Sequence, residues 1–124
     1  MAEFTIAHMY PGLMNLYADS GNLICLQRRI EWYGYTCKIK NITLNQDFDY
    51  NSIDMIFIGG GSDREQRLVC QDQLKDSDKF ASAIEGGVPV LCICGAYQLL
   101  GTAYRSYDGQ LLNGLGLLDF YTIG

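Results

Sequence analysis

From Val88 to Gly101 the chain reads Val-Pro-Val-Leu-Cys-Ile-Cys-Gly-Ala-Tyr-Gln-Leu-Leu-Gly, an apolar run ending on a cysteine where a helical pattern starts at once. This order predicts a strand, a sharp turn and a helix, with Cys94 at the bend. Such a turn holds its central residue above the carboxyl end of a sheet, side chain exposed, with the N–H groups of the next helix converging behind it. The small residues Cys92 and Ala96 leave room for a strained turn, and a helix start favours a thiolate. Cys94 is therefore a candidate nucleophile. A buried structural cysteine at a strand end is the competing reading of the same pattern, because free cysteine is commonly buried.

The rest of the chain supplies the sheet that such a turn needs. Residues 4–9 are a short apolar run suited to a buried first strand, and Tyr10-Pro11-Gly12 ends it as a turn. Several N-cap candidates lie in Asp19-Ser20-Gly21-Asn22, and Leu23, Leu26, Ile30 and Tyr33 recur at amphipathic-helix spacing until Gly34, leaving Arg28, Arg29 and Glu31 to solvent. Residues 35–44 alternate like a half-covered strand near a sheet edge, and 45–52 read as a polar loop. Residues 53–58 form a buried strand running straight into Gly59-Gly60-Gly61. Ser62 with Glu65 three places on is a capping-box signature for the next helix. A break at Lys75-Asp76-Ser77 separates it from a second helical segment over 78–85, which Gly86-Gly87 closes. After Gly101, Asp108-Gly109 between Tyr104 and Leu111-Leu112 is a hairpin signal, and residues 115–123 read as a further strand.

Helical crossovers between apolar strands predict an α/β fold: a mainly parallel sheet with helices on both faces and ligands at the carboxyl ends of the strands. Both glycine-bearing turns, at 59–61 and 94–96, fall on that edge. A sheet ending at Thr122-Ile123-Gly124 with no covering helix behind it suggests a truncated domain.

At 124 residues the chain is expected to be one domain able to bury a genuine core. A net charge of −5 argues against a general nucleic-acid surface. Five cysteines without a Cys-x-x-Cys pair, and a single histidine, indicate neither a disulfide framework nor a zinc site, so no metal or cofactor is expected and a reducing cytoplasm is the natural home. No signal peptide is evident, and no stretch approaches the ~20 apolar residues of a membrane span.

Acyl transfer by a thiol needs a nucleophile, N–H donors for the oxyanion, and a base. Cys94 supplies the first. Gly95 follows it with an N–H in the turn, and Gly60 or Gly61 offers a second donor from the neighbouring strand end. Gln98 lies one helical turn past Cys94, so its amide could reach a substrate held at the thiol; a solvated helix glutamine is the alternative. The triple glycine lacks the spacing of a phosphate loop and reads more simply as a tight turn. His8 stands at the same sheet edge, but adjacent strand ends do not by themselves provide the geometry of a base, and local packing explains it better. The residues thus offer a nucleophile without a credible base.

Residues 89–101 resemble the nucleophile motif of class I glutamine amidotransferases in the cobyric-acid-synthase-like branch, whose sheet is flavodoxin-like. Residues 59–66, Gly-Gly-Gly-Ser-Asp-Arg-Glu-Gln, are similar to that branch's oxyanion loop. Two further stretches, Tyr10 to Asn22 and Gly114 to Phe120, are similar to the members that pass ammonia to a MurT-type, ATP-dependent ligase for amidation of D-glutamate in lipid II, in peptidoglycan synthesis. The resemblance implies that Cys94 attacks the side-chain amide of glutamine, with Gly95 and the Gly60/Gly61 loop holding the oxyanion and Gln98 near the substrate. It covers the N-terminal half of the family's domain; the half that carries the catalytic histidine lies beyond residue 124, so this chain alone is expected to be nearly inactive. Where the usual pattern has glycine two residues before and after the nucleophile, Cys92 and Ala96 stand here. Other readings are an amidotransferase of another pathway, such as a cobyric-acid-synthase-like one, a non-catalytic scaffold for docking the ligase, and a different thiol hydrolase on a similar sheet.

Overall fold

The computed structural model describes residues 2–15, 19–105 and 108–123. Four parallel strands form the main sheet: β1 (Glu3–Met9), β2 (Thr36–Ile42), β3 (Met55–Ile58) and β4 (Val90–Cys92), in the order β2-β1-β3-β4. The register sets Ala7 beside Ile56 and Met9 beside Ile58, with Ile58 beside Cys92 on the other side. Strands one and two stop at a common level and β3 and β4 continue into the two glycine-bearing turns, so both turns rise from adjacent strands at one edge. The expected fold class holds, and β2 takes the predicted place at a sheet edge.

Alternation along each strand divides the core in two. Ala7, Met9, Ile56 and Ile58 point to one face, where they pack with Val69 of α2 (Asp63–Leu74) and Phe80 of α3 (Ser77–Glu85). Ile6 and Phe57 point to the other face and pack with Leu23 of α1 (Asp19–Trp32). Phe57, Phe80, Ile6, Ile56 and Ile58 are fully buried, each stabilising the fold by roughly 1.5–3 kcal/mol relative to exposure. The helices flank the sheet because each βαβ crossover must return to the starting edge.

Several expectations need correction. Tyr33 does not belong to the buried stripe of α1: the helix stops at Trp32 and Tyr33 is 83% exposed, because the chain turns away toward Gly34 at φ 93°. Ser62 is the N-cap of α2, but the side-chain bonds of a capping box are not made. The polar loop at 45–52 contains a short 3-10 turn, Tyr50–Ser52, whose tyrosine is buried beside Phe48.

The C-terminal strands do not extend the main sheet. β5 (Ala103–Arg105), β6 (Leu111–Asn113) and β7 (Tyr121–Ile123) make a separate small sheet in the order β6-β5-β7, with β5 antiparallel to β6 and parallel to β7. Asp108-Gly109 is the hairpin bend as expected, Gly109 lying at φ 85°. The strand expected over 115–123 is confined to its last three residues, because residues 114–118 serve another partner. The helix after Cys94, α4 (Gly95–Leu100), ends in carbonyls with no continuing turn. Leu115, Leu118 and Gly116 donate their N–H groups to the carbonyls of Leu99, Leu100 and Gly101 at 2.8, 3.0 and 2.9 Å. The small sheet is thereby fastened to the far end of the helix that begins at Cys94.

Candidate active site

Cys94 joins β4 to α4 with φ 50° and ψ −108°, backbone angles that an L-residue rarely adopts. Both sides of the bend are tied down. Ile93 N–H donates to the Ile58 carbonyl at 3.0 Å, continuing the β3–β4 pairing, and the Cys94 carbonyl accepts from Tyr97 and Gln98 N–H at 3.0 and 3.2 Å, starting the helix. The strained bend lifts the Cys94 side chain to the surface, whereas Cys92 turns into the core, where burial pushes its thiol up to about 12. α4 has only six residues, so the oriented N–H groups of the turn matter more here than a long helix dipole.

Gly95 and Gly61 meet directly. A Cβ on Gly95 would lie 3.0 Å from the Gly61 carbonyl oxygen and 2.8 Å from the Cδ of Gln66, so only glycine fits between the bend and α2. A Cβ on Gly61 would lie 3.2 Å from the Leu13 carbonyl and against the Met14 sulfur, which packs the triple glycine on the segment after β1. Gly59, Gly60, Gly61 and Gly95 are all buried. The N–H groups of Gly61 and Gly95 donate to no protein acceptor among the described residues. Two buried, uncommitted donors beside an exposed thiol suit a developing negative charge on a carbonyl oxygen.

Gln98 lies on α4 as the spacing predicted, and its Oε1 is 3.4 Å from the Nε2 of Gln66. Gln66 in turn donates to the Gly61 carbonyl at 3.1 Å. Both glutamines help line a cavity of about 260 Å³ between α2, α4 and β6, together with Cys70, Tyr104 and Asn113. Tyr104 was not foreseen from the sequence, where it reads only as a strand residue. Burial raises its phenol, and Asp63, Cys94 and Asp108 add to the shift in that order. Gln66 was visible only as the last residue of the oxyanion-loop stretch, with no role to single it out.

His8 is buried in the α1-side core, edge-to-face with Phe57 at 5.6 Å between centroids. Among the described residues no three His, Cys, Asp or Glu side chains group to hold a metal ion, and no helix is long and apolar enough to cross a membrane.

A second polar cluster lies at the other end of α2. The Tyr10 hydroxyl donates a bifurcated bond to Asp72 Oδ2 (2.9 Å) and Gln73 Oε1 (2.8 Å), and Gln73 Nε2 donates to the Tyr50 hydroxyl at 2.7 Å. Asp72 Oδ1 accepts from the Asn45 N–H at 2.8 Å. Burial raises both phenols, Tyr50 to about 12; for Tyr10 the bond to Asp72 adds to the effect. This cluster fixes Tyr10, itself at φ 56°, and with it the segment that carries Leu13 and Met14 to Gly61.

Comparison with known proteins places the chain among amidotransferases. The model of the CobB/CobQ-like glutamine amidotransferase domain matches residues 5–124. The chain is 43% identical over 122 residues, 98% of its own length and 50% of the relative's, to a protein of Staphylococcus aureus (strain N315) named lipid II isoglutaminyl synthase (glutamine-hydrolyzing) subunit GatD. The protein of that name from Streptococcus pneumoniae (strain ATCC BAA-255 / R6) is 37% identical over 121 residues, 98% of this chain and 46% of the relative. A cobyric acid synthase of Photorhabdus laumondii is 38% identical over 74 residues, 56% of this chain and 14% of the relative. The chain thus spans about half the length of the first two relatives.

Proposed function

The chain belongs to the CobB/CobQ-like glutamine amidotransferase family, and on that premise we propose that it is the nucleophile-bearing part of a glutaminase subunit of lipid II isoglutaminyl synthase. Residues 1–124 are, on this reading, the N-terminal part of one glutamine amidotransferase domain. The observation that carries it is Cys94: an exposed thiol on a positive-φ bend, with the buried N–H groups of Gly95 and Gly61 beside it, in a chain similar to the GatD proteins along almost its whole length.

The chemistry follows from the parts. A base takes the Cys94 proton, and Sγ bonds to the side-chain carbonyl carbon of glutamine. The carbonyl oxygen becomes an oxyanion that Gly95 N–H and the Gly60/Gly61 loop receive, each such donor contributing about 3 kcal/mol to the transition state. The C–N bond then breaks, the nitrogen takes a proton and leaves as ammonia, and a thioester remains. Water attacks the thioester through a second oxyanion in the same place, releasing glutamate and the thiol. Gln98 contributes to holding the substrate. His8 is buried against Phe57, and on this reading it is not that base.

The ammonia passes to a MurT-type ligase, which uses ATP to activate the α-carboxyl of D-glutamate in the lipid II stem peptide. Five cysteines, none in a disulfide, suit a reducing cytoplasm for this work. The shorter matches to cobyric acid synthases favour, as a second reading, an amidotransferase that serves another acceptor. The test is ammonia release from glutamine by the full-length protein with its ligase subunit: Cys94→Ala is expected to abolish it, and retained turnover would overturn the assignment.

A further inference from the structure

Three adjacent glycines have more backbone freedom than any other tripeptide, so a loop made of them donates reliably only if something else fixes its peptide planes. Among the described residues, the side-chain hydrogen bond that holds Gly61 comes from Gln66, whose Nε2 lies 3.1 Å from the Gly61 carbonyl oxygen. The orientation of this carboxamide is forced, because a carbonyl only accepts and therefore faces the nitrogen. The second N–H of the same nitrogen points to Gln98 Oε1 at 3.4 Å. The residue is 7% exposed, and its carboxamide occupies the space that a Cβ on Gly95 would need. One buried amide thus touches the triple-glycine loop, the residue after the nucleophile, and Gln98.

Resting on the glutaminase reading above, we infer that Gln66 is a positioning residue that holds the Gly61 carbonyl, and with it the Gly61–Ser62 peptide, and orients the Gln98 amide for glutamine hydrolysis at Cys94. Holding the Gly61 carbonyl against α2 fixes ψ of Gly61 and keeps that oxygen away from the space a substrate oxyanion would fill. Without the clamp no side-chain bond among the described residues opposes rotation of the Gly61–Ser62 peptide, and a carbonyl swung toward the substrate would repel the charge that the loop must receive. The thiol itself does not depend on Gln66, since the Cys94 bend is held by Ile58, Tyr97 and Gln98 backbone bonds.

The experiment uses the full-length protein with its ligase subunit and compares wild type, Gln66→Met and Gln66→Glu. Methionine fills the same space but donates nothing; glutamate donates only when protonated. Glutamine hydrolysis is expected to fall about ten-fold or more in kcat for Gln66→Met, with KM little changed, below the ~10²–10³ lost with a direct oxyanion donor. Alkylation of Cys94 by iodoacetamide forms no oxyanion and should stay within about two-fold of wild type. Gln66→Glu is expected to be slower than Gln66→Met at pH 8 and to gain on it as pH falls and the carboxyl becomes a donor again. Wild-type kcat in Gln66→Met, equal loss of alkylation and hydrolysis, or a Glu/Met ratio that does not change with pH would each overturn the role. A wild-type complex that releases no ammonia would instead overturn the glutaminase reading on which it rests.

Discussion

Helix α2 carries a polar cluster at each end, and the two are built in opposite ways. At its C-terminal end Tyr10, Tyr50, Asp72 and Gln73 are joined by close bonds of 2.7–2.9 Å, with each hydroxyl and amide matched to a partner. At its N-terminal end Gln66 holds a carbonyl and a second glutamine, while the N–H groups of Gly61 and Gly95 beside them donate to no acceptor among the described residues. A closed network in a low-dielectric interior fixes geometry and adds stability. An open one keeps donors in reserve at a cost in stability, which is characteristic of a site that receives charge from a ligand. The first cluster holds Tyr10 and so the segment packed on Gly61; the second presents what that segment supports.

This contrast makes separable predictions for the full-length protein. The largest effect belongs to the open end, where Cys94→Ala should remove glutamine turnover while leaving the urea-denaturation midpoint unchanged, since an exposed side chain contributes little to folding. At the closed end the effect is on stability. Gln73→Leu strips the Tyr50 hydroxyl of its donor and one acceptor from Tyr10, and should cost about 1–3 kcal/mol by urea denaturation. A variant at position 73 with wild-type stability would show that the network is not cooperative.

The smallest effect is on the alkaline limb of stability. Both phenols ionise less readily folded than unfolded, so their contribution is fully present below about pH 10, the ordinary tyrosine range, and is lost as pH rises toward 12, where Tyr50 ionises in the fold. Wild-type thermal stability should therefore decline above pH 10, and less steeply in Tyr50→Phe. Equal declines in the two proteins would remove Tyr50 from the account.

How much of this was legible in the sequence follows from how local each signal is. The bend at Cys94 is announced by an apolar run, small neighbours and an immediate helix, all within fourteen residues, and the triple glycine by its composition. The parallel order was readable because amphipathic crossovers separate apolar strands. Tyr50 was hidden because Asp47, Asp49 and Asn51 surround it, although Phe80 and Phe48 bury it from elsewhere in the fold. Residues 115–118 are apolar enough for a strand but are taken up by the end of α4, a competition that depends on how far that helix runs. Gln66 and Tyr104 gain their meaning only from the meeting of α2, α4 and the small sheet. Pairing over long separations leaves no periodic trace.

The central claim is that Cys94, and no other cysteine, is the group that attacks glutamine. Its most direct test is mass-spectrometric mapping of the full-length protein, with its ligase subunit, after treatment with a diazoketone analogue of glutamine. The account predicts a single adduct on Cys94, suppressed by excess glutamine, with buried Cys37 and Cys70 and half-buried Cys92 unmodified because desolvation keeps their thiols protonated. An adduct on another cysteine, or labelling of Cys94 that glutamine does not suppress, would contradict it.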